Sequence, residues 1–516
     1  MRRCTRLFTV ATVATAFSVI AAVARAAGTE CAALTGLTIP GVSLTSATPV
    51  PAGPFAVPGG RGGAPPITVP AFCRVLAVAT PTADSRINFE VWIPGAVAWN
   101  GKFQGVGTGG FSGSIAYSAL AEGVRRGYAT VSTDMGHTGD DLQFGDGHPE
   151  KIVDWAYRAV HVVTEAGKLI VRNNTGRFPD RSYFNGCATG GHQAMMEVQR
   201  YPLDYDGVVA GNPAADRTNE ILAYLWAWLS THAEDGTSLV PATKFPLLTK
   251  SAVTACDADD GVTDGVIDDP RRCQFDPASL LCPGSAAASC LTPTELAAIQ
   301  KVYAGPKNAR TGEQIFPGWP VGSEGFGEGL NDGWRNFIDV PEPRRVGLLQ
   351  YFVFNNAKWA WRSMDWDRDV AYVTHKMGFI NATSHELSAF RQRGGKIVMH
   401  TGWSDPILPA PDVIKYYEEV SGSMGGADKT NDFFRLFMAP GMGHCSNGPG
   451  PNSLDALSAL EAWVERGVAP DKILASRSRS GAVERTRPLC VYPQVARWSG
   501  KGSTDDAANF TCVNAK

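Results

Sequence analysis

The stretch RSYFNGCATGG, Arg181 to Gly191, predicts a β-strand that ends in a sharp glycine turn and continues into a helix. Its last residues reproduce the frame G-x-S-x-G of a nucleophile elbow, with Ala188 in place of the central serine. An elbow presents its central residue at the edge of an α/β sheet where parallel strands end. The stretch therefore predicts an α/β fold and a site whose central side chain is a methyl group.

Predicted strands and helices alternate on both sides of this stretch. Before it, strands are predicted for INFEVWIPG, GKFQGVGTGG and GYATVSTDMGH, and a long apolar-periodic helix for Val153 to Arg172, which ends at the sequence NNTG. After it come a helix from Gly191 to Arg200, the strand DGVVAGNPA, and two further strands within GGKIVMHTGWSD and DFFRLFMAPGMGHC. This alternation predicts an α/β fold with a mostly parallel sheet.

Residues 214–393 interrupt the alternation. They contain four cysteines, an Asp-rich loop and much of the tryptophan, but no repeated strand–helix unit. We predict one α/β domain in two parts, residues 27–213 and 394–516, and an insertion at residues 214–393 that covers the site as a lid.

Residues 1–26 have the pattern of a secretory signal peptide. A basic start is followed by an apolar run and by the small-x-small cleavage site Ala24-Arg25-Ala26. The alternative is an uncleaved membrane anchor, which the good cleavage site and the Thr and Ser residues of the apolar run disfavour. We therefore expect a secreted or periplasmic protein with no membrane association after cleavage.

The composition limits the possible partners of the mature chain. Removal of residues 1–26 takes away four arginines and no acidic residue, so the formal net charge changes from −3 to −7. A mildly acidic chain without a basic patch is a poor candidate for nucleic-acid binding.

Ten of the 11 cysteines lie outside the signal segment, and an even number of cysteines in a secreted chain predicts disulfides.

Two loops in the second half of the chain carry further candidate residues. The sequences TGWSDP and GMGHC place Asp405 and His444 at the ends of predicted strands. The order elbow, acid, histidine is that of α/β-hydrolases, in which the histidine takes the nucleophile's proton and the carboxylate orients the histidine. Taken alone, Asp405 is also explained as a turn residue before Pro406, and His444 as chance. Their joint order favours the catalytic interpretation, with Ala188 at the nucleophile position.

The glycines of GVGTGGFSG, which follow an early strand, suggest an oxyanion hole. Such a hole needs backbone N–H groups that no side chain obstructs. Gly109 and Gly110 are the best donors in this loop, and the amide of Thr189 is their expected partner. A tight turn would also use glycine, so the elbow is what favours the oxyanion interpretation.

Cysteines stand next to both predicted catalytic positions. Cys187 precedes Ala188, and Cys445 follows His444. A catalytic geometry would bring the two cysteine Cα atoms within about 7 Å, which is the reach of a disulfide. We therefore predict a Cys187–Cys445 disulfide that fixes the nucleophile position and the base together.

These residues resemble those of the tannase and feruloyl esterase family of secreted α/β-hydrolases, which also includes a hydrolase of mono(2-hydroxyethyl) terephthalate. The family's C-S-x-G-G elbow corresponds to CATGG, its acid to WSDP and its His-Cys pair to GHC. The resemblance covers nearly the whole mature chain. It implies an α/β-hydrolase fold with a large lid insertion, and hydrolysis of phenolic or aromatic acid esters through an acyl-enzyme. The chain departs from the family at Ala188, which lacks the nucleophilic hydroxyl.

The lid stretch CDADDGVTDGVIDDPRRC, Cys256 to Cys273, is a candidate calcium loop because calcium takes six to eight oxygens from carboxylates and backbone carbonyls. The candidate ligands are the carboxylates of Asp257, Asp260 and Asp264 and the carbonyls of Val262 and Val266. The loop lacks the terminal Glu of an EF-hand, and a solvated Asp-rich turn is the alternative. The family has a structural calcium site with the pattern D-x-x-D-G-x-x-D-G in its lid, which implies structural Ca²⁺ here. No organic cofactor is expected.

The remaining cysteines and the lid aromatics give weaker predictions. Proximity along the chain suggests the disulfides Cys256–Cys273, Cys282–Cys290, Cys31–Cys73 and Cys490–Cys512. Lid aromatics could line a pocket for an aromatic acid, although packing of the lid explains them equally well. These aromatics are Phe352, Phe354, Trp359, Trp361 and Trp366.

The residues support one leading function and two alternatives. The leading hypothesis is a serine carboxylesterase for phenolic or aromatic acid esters, in a form that lacks its nucleophile and is therefore inactive. The first alternative is a natural pseudoenzyme that binds aromatic esters without hydrolysing them, although such a protein would not need Asp405 and His444. A metalloenzyme that uses the Asp cluster is disfavoured, because calcium is a poor Lewis acid. The choice among tannin, feruloyl or hydroxycinnamoyl, and terephthalate esters is left open, as is the oligomeric state.

Overall fold

The computed structural model describes Met1 and residues 28–59, 65–111, 113–325 and 333–515. The predicted signal segment therefore lies, apart from Met1, outside the described residues. Within the described ranges, no helix combines the length and the apolar character that a membrane crossing needs.

The described residues form 16 β-strands and 13 α-helices. The strands are β1 (Val42–Val50), β2 (Gly53–Phe55), β3 (Ile67–Val69), β4 (Phe72–Ala79), β5 (Ile87–Pro94), β6 (Lys102–Val106), β7 (Ala129–Thr133), β8 (Arg181–Cys187), β9 (Gly207–Gly211), β10 (Lys396–Gly402), β11 (Phe434–Ala439), β12 (Ser453–Leu454), β13 (Lys472–Arg479), β14 (Ala482–Cys490), β15 (Gln494–Trp498) and β16 (Phe510–Asn514). The helices are α1 (Tyr117–Arg125), α2 (Pro149–Val153), α3 (Ala159–Thr175), α4 (Thr189–Arg200), α5 (Arg217–Thr231), α6 (Phe245–Cys256), α7 (Pro293–Ala304), α8 (Arg335–Ile338), α9 (Arg368–Met377), α10 (Ser388–Gln392), α11 (Ala410–Ser423), α12 (Ala427–Asn431) and α13 (Ala456–Arg466).

A mixed sheet forms the centre of the molecule, with the strand order β1-β4-β5-β7-β6-β8-β9-β10-β11. The first strands pair antiparallel, from β1 through β4 and β5 to β7. All the pairs from β7 through β6, β8, β9 and β10 to β11 are parallel. The predicted α/β class and the mostly parallel sheet are therefore confirmed.

The parallel strands are buried on both faces of the sheet. Every residue of β7 and β9 is buried, which explains their continuous apolar sequences. Successive strand residues face opposite sides, so Val208 packs in a core with α3 and α4, whereas Val209 packs in a second core with α13. The sheet is thus held between helices on its two faces.

The two predicted helices next to the elbow both form, with shifted ends. The first is a continuous helical segment made of α2, a π-helical turn at Asp154–Arg158 and α3, and it ends where Gly176 adopts the left-handed φ of 78°. The second helix, α4, begins at Thr189, two residues before the predicted start. The helix begins at this point because the Ala188 carbonyl already accepts the His192 amide at 3.0 Å, which is the first helical hydrogen bond.

The segment between β9 and β10 carries α5 to α10, and its described residues add no strand to the central sheet. Helix α5 contributes Ile221, Leu222 and Leu225 to the same core that includes Val208 of the sheet. The lid segment is therefore packed onto the sheet through α5. A small separate cluster around the Asp-rich loop consists of Ala252, Cys256 and Ile267. After β11, the chain forms two smaller sheets, β12–β13–β14 and β15–β16.

Candidate active site

Ala188 lies at the turn between β8 and α4, with φ 57° and ψ −114°. A residue with a Cβ atom rarely adopts this φ, so surrounding structure must impose it. The Ala188 amide donates to the Gly211 carbonyl at 3.0 Å. A Cβ atom at Gly186 would lie 2.6 Å from the Gly190 Cα atom, so the tight turn requires glycine at position 186. The backbone thus has the sharp conformation of an elbow, and its central side chain is 9% exposed.

His444 and Asp405 form a hydrogen-bonded pair in the loops after β11 and β10. The distance from His444 Nδ1 to Asp405 Oδ2 is 2.9 Å. Asp405 is fully buried, and its Oδ1 accepts hydrogen bonds from the amides of Ile407 at 2.7 Å and Leu408 at 3.0 Å. These bonds fix the carboxylate and compensate for the desolvation of its charge.

Asn212 is a partner of Asp405 that the sequence analysis missed. Its side-chain Nδ2 atom donates to Asp405 Oδ2 at 2.5 Å, and its backbone N–H donates to the His400 carbonyl at 2.7 Å. Asn212 follows β9 with a φ of 35°, a region in which asparagine is enriched. The sequence GNP after a predicted strand marked a turn, but nothing in it pointed to Asp405, which lies 193 residues away.

The cysteines next to the elbow and the histidine are joined. Cys187 and Cys445 form a disulfide with a Cα–Cα distance of 6.0 Å. The structure also contains the other pairs given in the sequence analysis, which are Cys31–Cys73, Cys256–Cys273, Cys282–Cys290 and Cys490–Cys512. The Cys187–Cys445 bond limits the distance between the elbow and the His444 loop.

The glycine loop after β6 lies against the first turn of α4. Neighbouring amides of the loop are anchored, Thr108 N to Gln193 Oε1 at 3.1 Å and Phe111 N to Asp140 Oδ1 at 2.6 Å. The Thr189 hydroxyl donates to the Gly110 carbonyl. Gly110 has a φ of 63°, a conformation that favours glycine. The arrangement places the backbone of Gly110 beside the N-terminus of α4, whose first amides have no helical acceptor.

The elbow, the His444 loop and the glycine loop meet at one cavity of about 250 Å³, which we call the elbow cavity. Its lining residues are Gly109, Gly110, Asp140, Ala188, Thr189, Ala214, Arg217, Glu220, Tyr224, Arg344, Arg345, Ile407, Leu408 and His444. The structure therefore brings together the predicted nucleophile position, histidine and oxyanion residues. Asp405 lies behind His444 and outside the lining.

Arg217 is a second residue of the elbow cavity that the sequence analysis missed. Its side chain is 3% exposed, and burial lowers its pKa. The guanidinium donates to the Thr189 hydroxyl and pairs with Glu220 at 3.3 Å. It also lies 5.2 Å from the centre of the Phe111 ring. The lid helix α5 thus holds a buried cation against the first residue of α4.

The lid aromatics considered in the sequence analysis pack elsewhere in the described structure. None of them lines the elbow cavity. Phe352 is buried against Phe144 and Trp155, Phe354 stacks on Trp359, and Trp361 and Trp366 pack on tryptophans of α5. These five aromatics therefore contribute to packing of the lid. Tyr224 of α5 supplies the aromatic ring of the elbow cavity instead.

The Asp-rich lid loop is closed by the Cys256–Cys273 disulfide. Asp257 Oδ1 accepts amides from Asp264, Gly265 and Val266 at 3.0 to 3.2 Å. Asp264 pairs with Arg487 of β14 at 2.6 Å. Burial and nearby carboxylates raise the pKa of Asp260. The loop thus gathers the oxygen donors that Ca²⁺ prefers, while backbone amides and Arg487 partly compensate the charges of Asp257 and Asp264.

Comparisons with known proteins agree with this geometry. A family model described as "Tannase and feruloyl esterase" matches residues 73–513. The chain is 39% identical to an uncharacterized esterase of Xanthomonas campestris pv. campestris, over 95% of this chain and 92% of that protein. It is 35% identical to the mono(2-hydroxyethyl) terephthalate hydrolase of Piscinibacter sakaiensis, over 83% and 81% of the two proteins. The crystal structure of feruloyl esterase B from Aspergillus oryzae has a TM-score of 0.87 and 29% identity, and the match covers 94% of this chain and 100% of that one. The chain therefore has the α/β-hydrolase fold and belongs to the tannase and feruloyl esterase family.

Proposed function

We propose that this chain is a carboxylesterase scaffold for phenolic or aromatic acid esters, in which Ala188 occupies the position of the nucleophilic serine. The observation that carries the proposal is the hydrogen bond between His444 and Asp405 beside a cavity that the methyl group of Ala188 also lines. The names of two relatives, a terephthalate ester hydrolase and feruloyl esterase B, support aromatic esters as the substrate class.

With serine at position 188, the residues would carry out ester hydrolysis in two steps. His444 accepts the serine proton while Asp405 holds the imidazole through Nδ1 and stabilises its charged form. The serine oxygen bonds to the ester carbonyl carbon, and the amides near Gly110 and Thr189 stabilise the oxyanion. The alcohol leaves with the proton from His444, and water then releases the acid from the acyl-enzyme. With alanine at position 188 the first bond does not form, so we expect ester binding without turnover.

The elbow cavity has the size and lining for an aromatic ring. Its volume of about 250 Å³ exceeds the roughly 150 Å³ of an apolar cavity that binds benzene. Tyr224, Ile407 and Leu408 offer apolar contacts, while the guanidinium groups of the cavity offer hydrogen-bond donors. A phenolic or aromatic acid group is therefore a suitable occupant.

A natural pseudoenzyme remains the second candidate function, because the chain carries Ala188. The retained His444–Asp405 pair favours the esterase interpretation, since binding alone does not need it. The deciding experiment is an assay of the Ala188→Ser protein on galloyl, feruloyl, chlorogenate and terephthalate esters. Hydrolysis of any of them supports the esterase scaffold. A folded, disulfide-bonded Ala188→Ser protein that binds these esters but hydrolyses none would support the pseudoenzyme instead.

We also propose a structural calcium ion in the lid and a location outside the cytoplasm. The calcium ligands would be the carboxylates of Asp257, Asp260 and Asp264 with the carbonyls of Val262 and Val266. When bound, the ion would neutralise these carboxylates and hold the lid loop against β14. The five disulfides favour an oxidising compartment, in agreement with the signal pattern of residues 1–26.

A further inference from the structure

Three side chains with metal-binding atoms meet where α3 and α4 pack together, and none of them lines the elbow cavity. His161 comes from α3, Glu197 from α4, and Asp204 from the loop before β9. One ligand atom of each lies within 4.8 Å of the other two. The closest pair is His161 Nδ1 and Asp204 Oδ2, at 2.7 Å.

Glu197 is the member of this cluster that lacks compensation. Its side chain is 1% exposed, no donor group among the described residues bonds to either carboxylate oxygen, and burial together with the adjacent Asp204 carboxylate raises its pKa. Burial of an unpaired carboxylate is costly, and nearly all buried polar atoms in proteins have a partner. Either a proton or a cation must therefore accompany Glu197, and the neighbouring ligand atoms of His161 and Asp204 favour a cation.

The surroundings of the cluster orient its ligands. The Tyr201 ring stacks on the His161 imidazole with centroids 3.8 Å apart, which holds the ring so that Nδ1 faces Asp204. The Lys168 ammonium donates to the Asp204 backbone carbonyl. Its positive charge opposes cation binding, as does the pKa of His161, which burial would lower but the bond to Asp204 raises. A bound metal ion displaces the imidazole proton, and the two carboxylates then face one ammonium group. Neighbouring groups that contact ligand residues in this way commonly fix the orientation of those residues at metal sites.

An open groove gives the cluster access to solvent. This groove has a volume of about 510 Å³, and Glu165, Lys168 and Asp204 belong to its lining. Glu165 is largely exposed, and its Oε2 atom lies 3.4 Å from His161 Nε2, on the other edge of the ring. An ion could therefore reach Asp204 from the groove without passing through the core.

We propose that His161, Glu197 and Asp204 bind a divalent transition-metal ion. One imidazole and two carboxylates form a nitrogen–oxygen donor set that suits Zn²⁺, whose ligands lie about 2.0 to 2.2 Å from the metal. Ligand atoms at that distance in a tetrahedral site are about 3.3 Å apart, so the present separations need only small side-chain adjustments. The two carboxylates balance the charge of the ion, and the ion supplies the partner that Glu197 lacks.

The test is equilibrium dialysis of the full chain against micromolar Zn²⁺ in excess Ca²⁺, with the bound zinc measured by mass spectrometry. Excess Ca²⁺ keeps zinc from the Asp-rich lid loop. We expect about one zinc per chain. Glu197→Gln keeps the shape but removes the carboxylate, and we expect it to weaken binding by more than the roughly 10- to 100-fold that loss of an outer-sphere partner costs. Glu165→Gln is the graded comparison on α3: it removes only the outer-sphere carboxylate beside His161 Nε2 and should weaken zinc binding by no more than that roughly 10- to 100-fold.

Two results would overturn the proposal. One is the absence of a zinc equivalent on the parent chain, and the other is equal zinc binding by the parent and the Glu197→Gln protein. Since Glu197→Gln could fail to fold, X-ray absorption of zinc bound to the parent supplies a second measurement. We expect one imidazole among oxygen ligands, whereas several imidazoles or sulfur would contradict the site. Retention of the zinc by the His444→Ala variant would exclude the His444–Asp405 pair as its location.

Discussion

Cys187 and Cys445 are joined by a disulfide that connects the residue before Ala188 with the residue after His444. The two cysteines are 258 positions apart in the sequence. Gly211 lies against this bond, since a Cβ atom at Gly211 would be 3.2 Å from Cys187 Sγ. The bond therefore holds the elbow, the end of β9 and the His444 loop together at one edge of the sheet.

Removal of this disulfide by Cys187→Ala with Cys445→Ala is expected to lower the free energy of unfolding by about 2 to 5 kcal/mol. The matched control is Cys282→Ala with Cys290→Ala, because these cysteines are only 8 positions apart. The chain-entropy model gives a loss about 3 kcal/mol smaller for the shorter loop. Urea unfolding of the parent and both variants measures the difference. Equal losses would show that loop closure does not determine the contribution of the Cys187–Cys445 bond.

Asn212→Gly tests whether the side-chain amide positions Asp405. Glycine keeps the left-handed backbone of this residue but removes the 2.5 Å hydrogen bond to the carboxylate. A hydrogen bond to a charged group contributes about 1.5 to 3 kcal/mol, so kcat in the Ala188→Ser background should fall roughly 10- to 100-fold. The substrate KM should change little, because Asn212 does not line the elbow cavity. Asn355→Gly, at another left-handed position in the lid, should leave both constants unchanged. A change in KM alone would contradict the positioning role.

The sequence predicted those features that depend on local pattern. The strands and helices around Ala188 follow from apolar periodicity and turn residues, and the positions of Asp405 and His444 follow from their places after apolar strands. The partners of these residues follow from packing between distant segments. Asn212 meets Asp405, and Arg217 meets Thr189, through contacts that no short motif encodes. For the same reason the sequence left open whether the lid aromatics line the pocket or pack the lid, since the direction of a ring depends on its neighbours.

Calcium removal is expected to lower the melting temperature, because unneutralised carboxylates of the lid loop would repel one another. Chelation followed by readdition of Ca²⁺ should lower and then restore the melting temperature, whereas Zn²⁺ should not restore it. Asp260→Ala should lower the melting temperature and abolish the response to the chelator. Asp259→Ala is the neighbouring control, since Asp259 is exposed and outside the predicted ligand set. A parent protein whose melting does not respond to the chelator would exclude the structural ion.

Two buried histidines predict a loss of stability in acid. Burial lowers the pKa of His192 to about 3 and that of His400 to about 4, against an unfolded value of about 6.5. As the pH falls from 6.5 towards these values, only the unfolded state takes up the two protons. Each histidine therefore contributes a fall in the free energy of unfolding of up to about 1.4 kcal/mol per pH unit. Buried carboxyls with a raised pKa, such as Asp268 and Asp412, contribute in the opposite direction, so the test is the difference in slope between the parent and a histidine variant. Urea unfolding between pH 7 and pH 5 measures this slope. His192→Gln should reduce the slope, while His375→Gln, at an exposed position on α9, is the matched control and should leave it unchanged.

Ala188→Ser tests the whole arrangement at the elbow cavity. Serine adds one oxygen at a position where the backbone already has the elbow conformation, beside the His444–Asp405 pair. Loss of the nucleophile in a comparable serine hydrolase costs on the order of 10⁶ in kcat, so the gain should be large and measurable on an aromatic methyl ester. His444→Ala in the serine background should remove most of this gain, because an unassisted serine hydroxyl is a weak nucleophile at neutral pH. The parent with Ala188 should bind the same ester, as calorimetry would detect, since alanine adds no bulk to the cavity. Hydrolysis by the Ala188→Ser protein that persists undiminished with His444→Ala would mean that another group acts as the base.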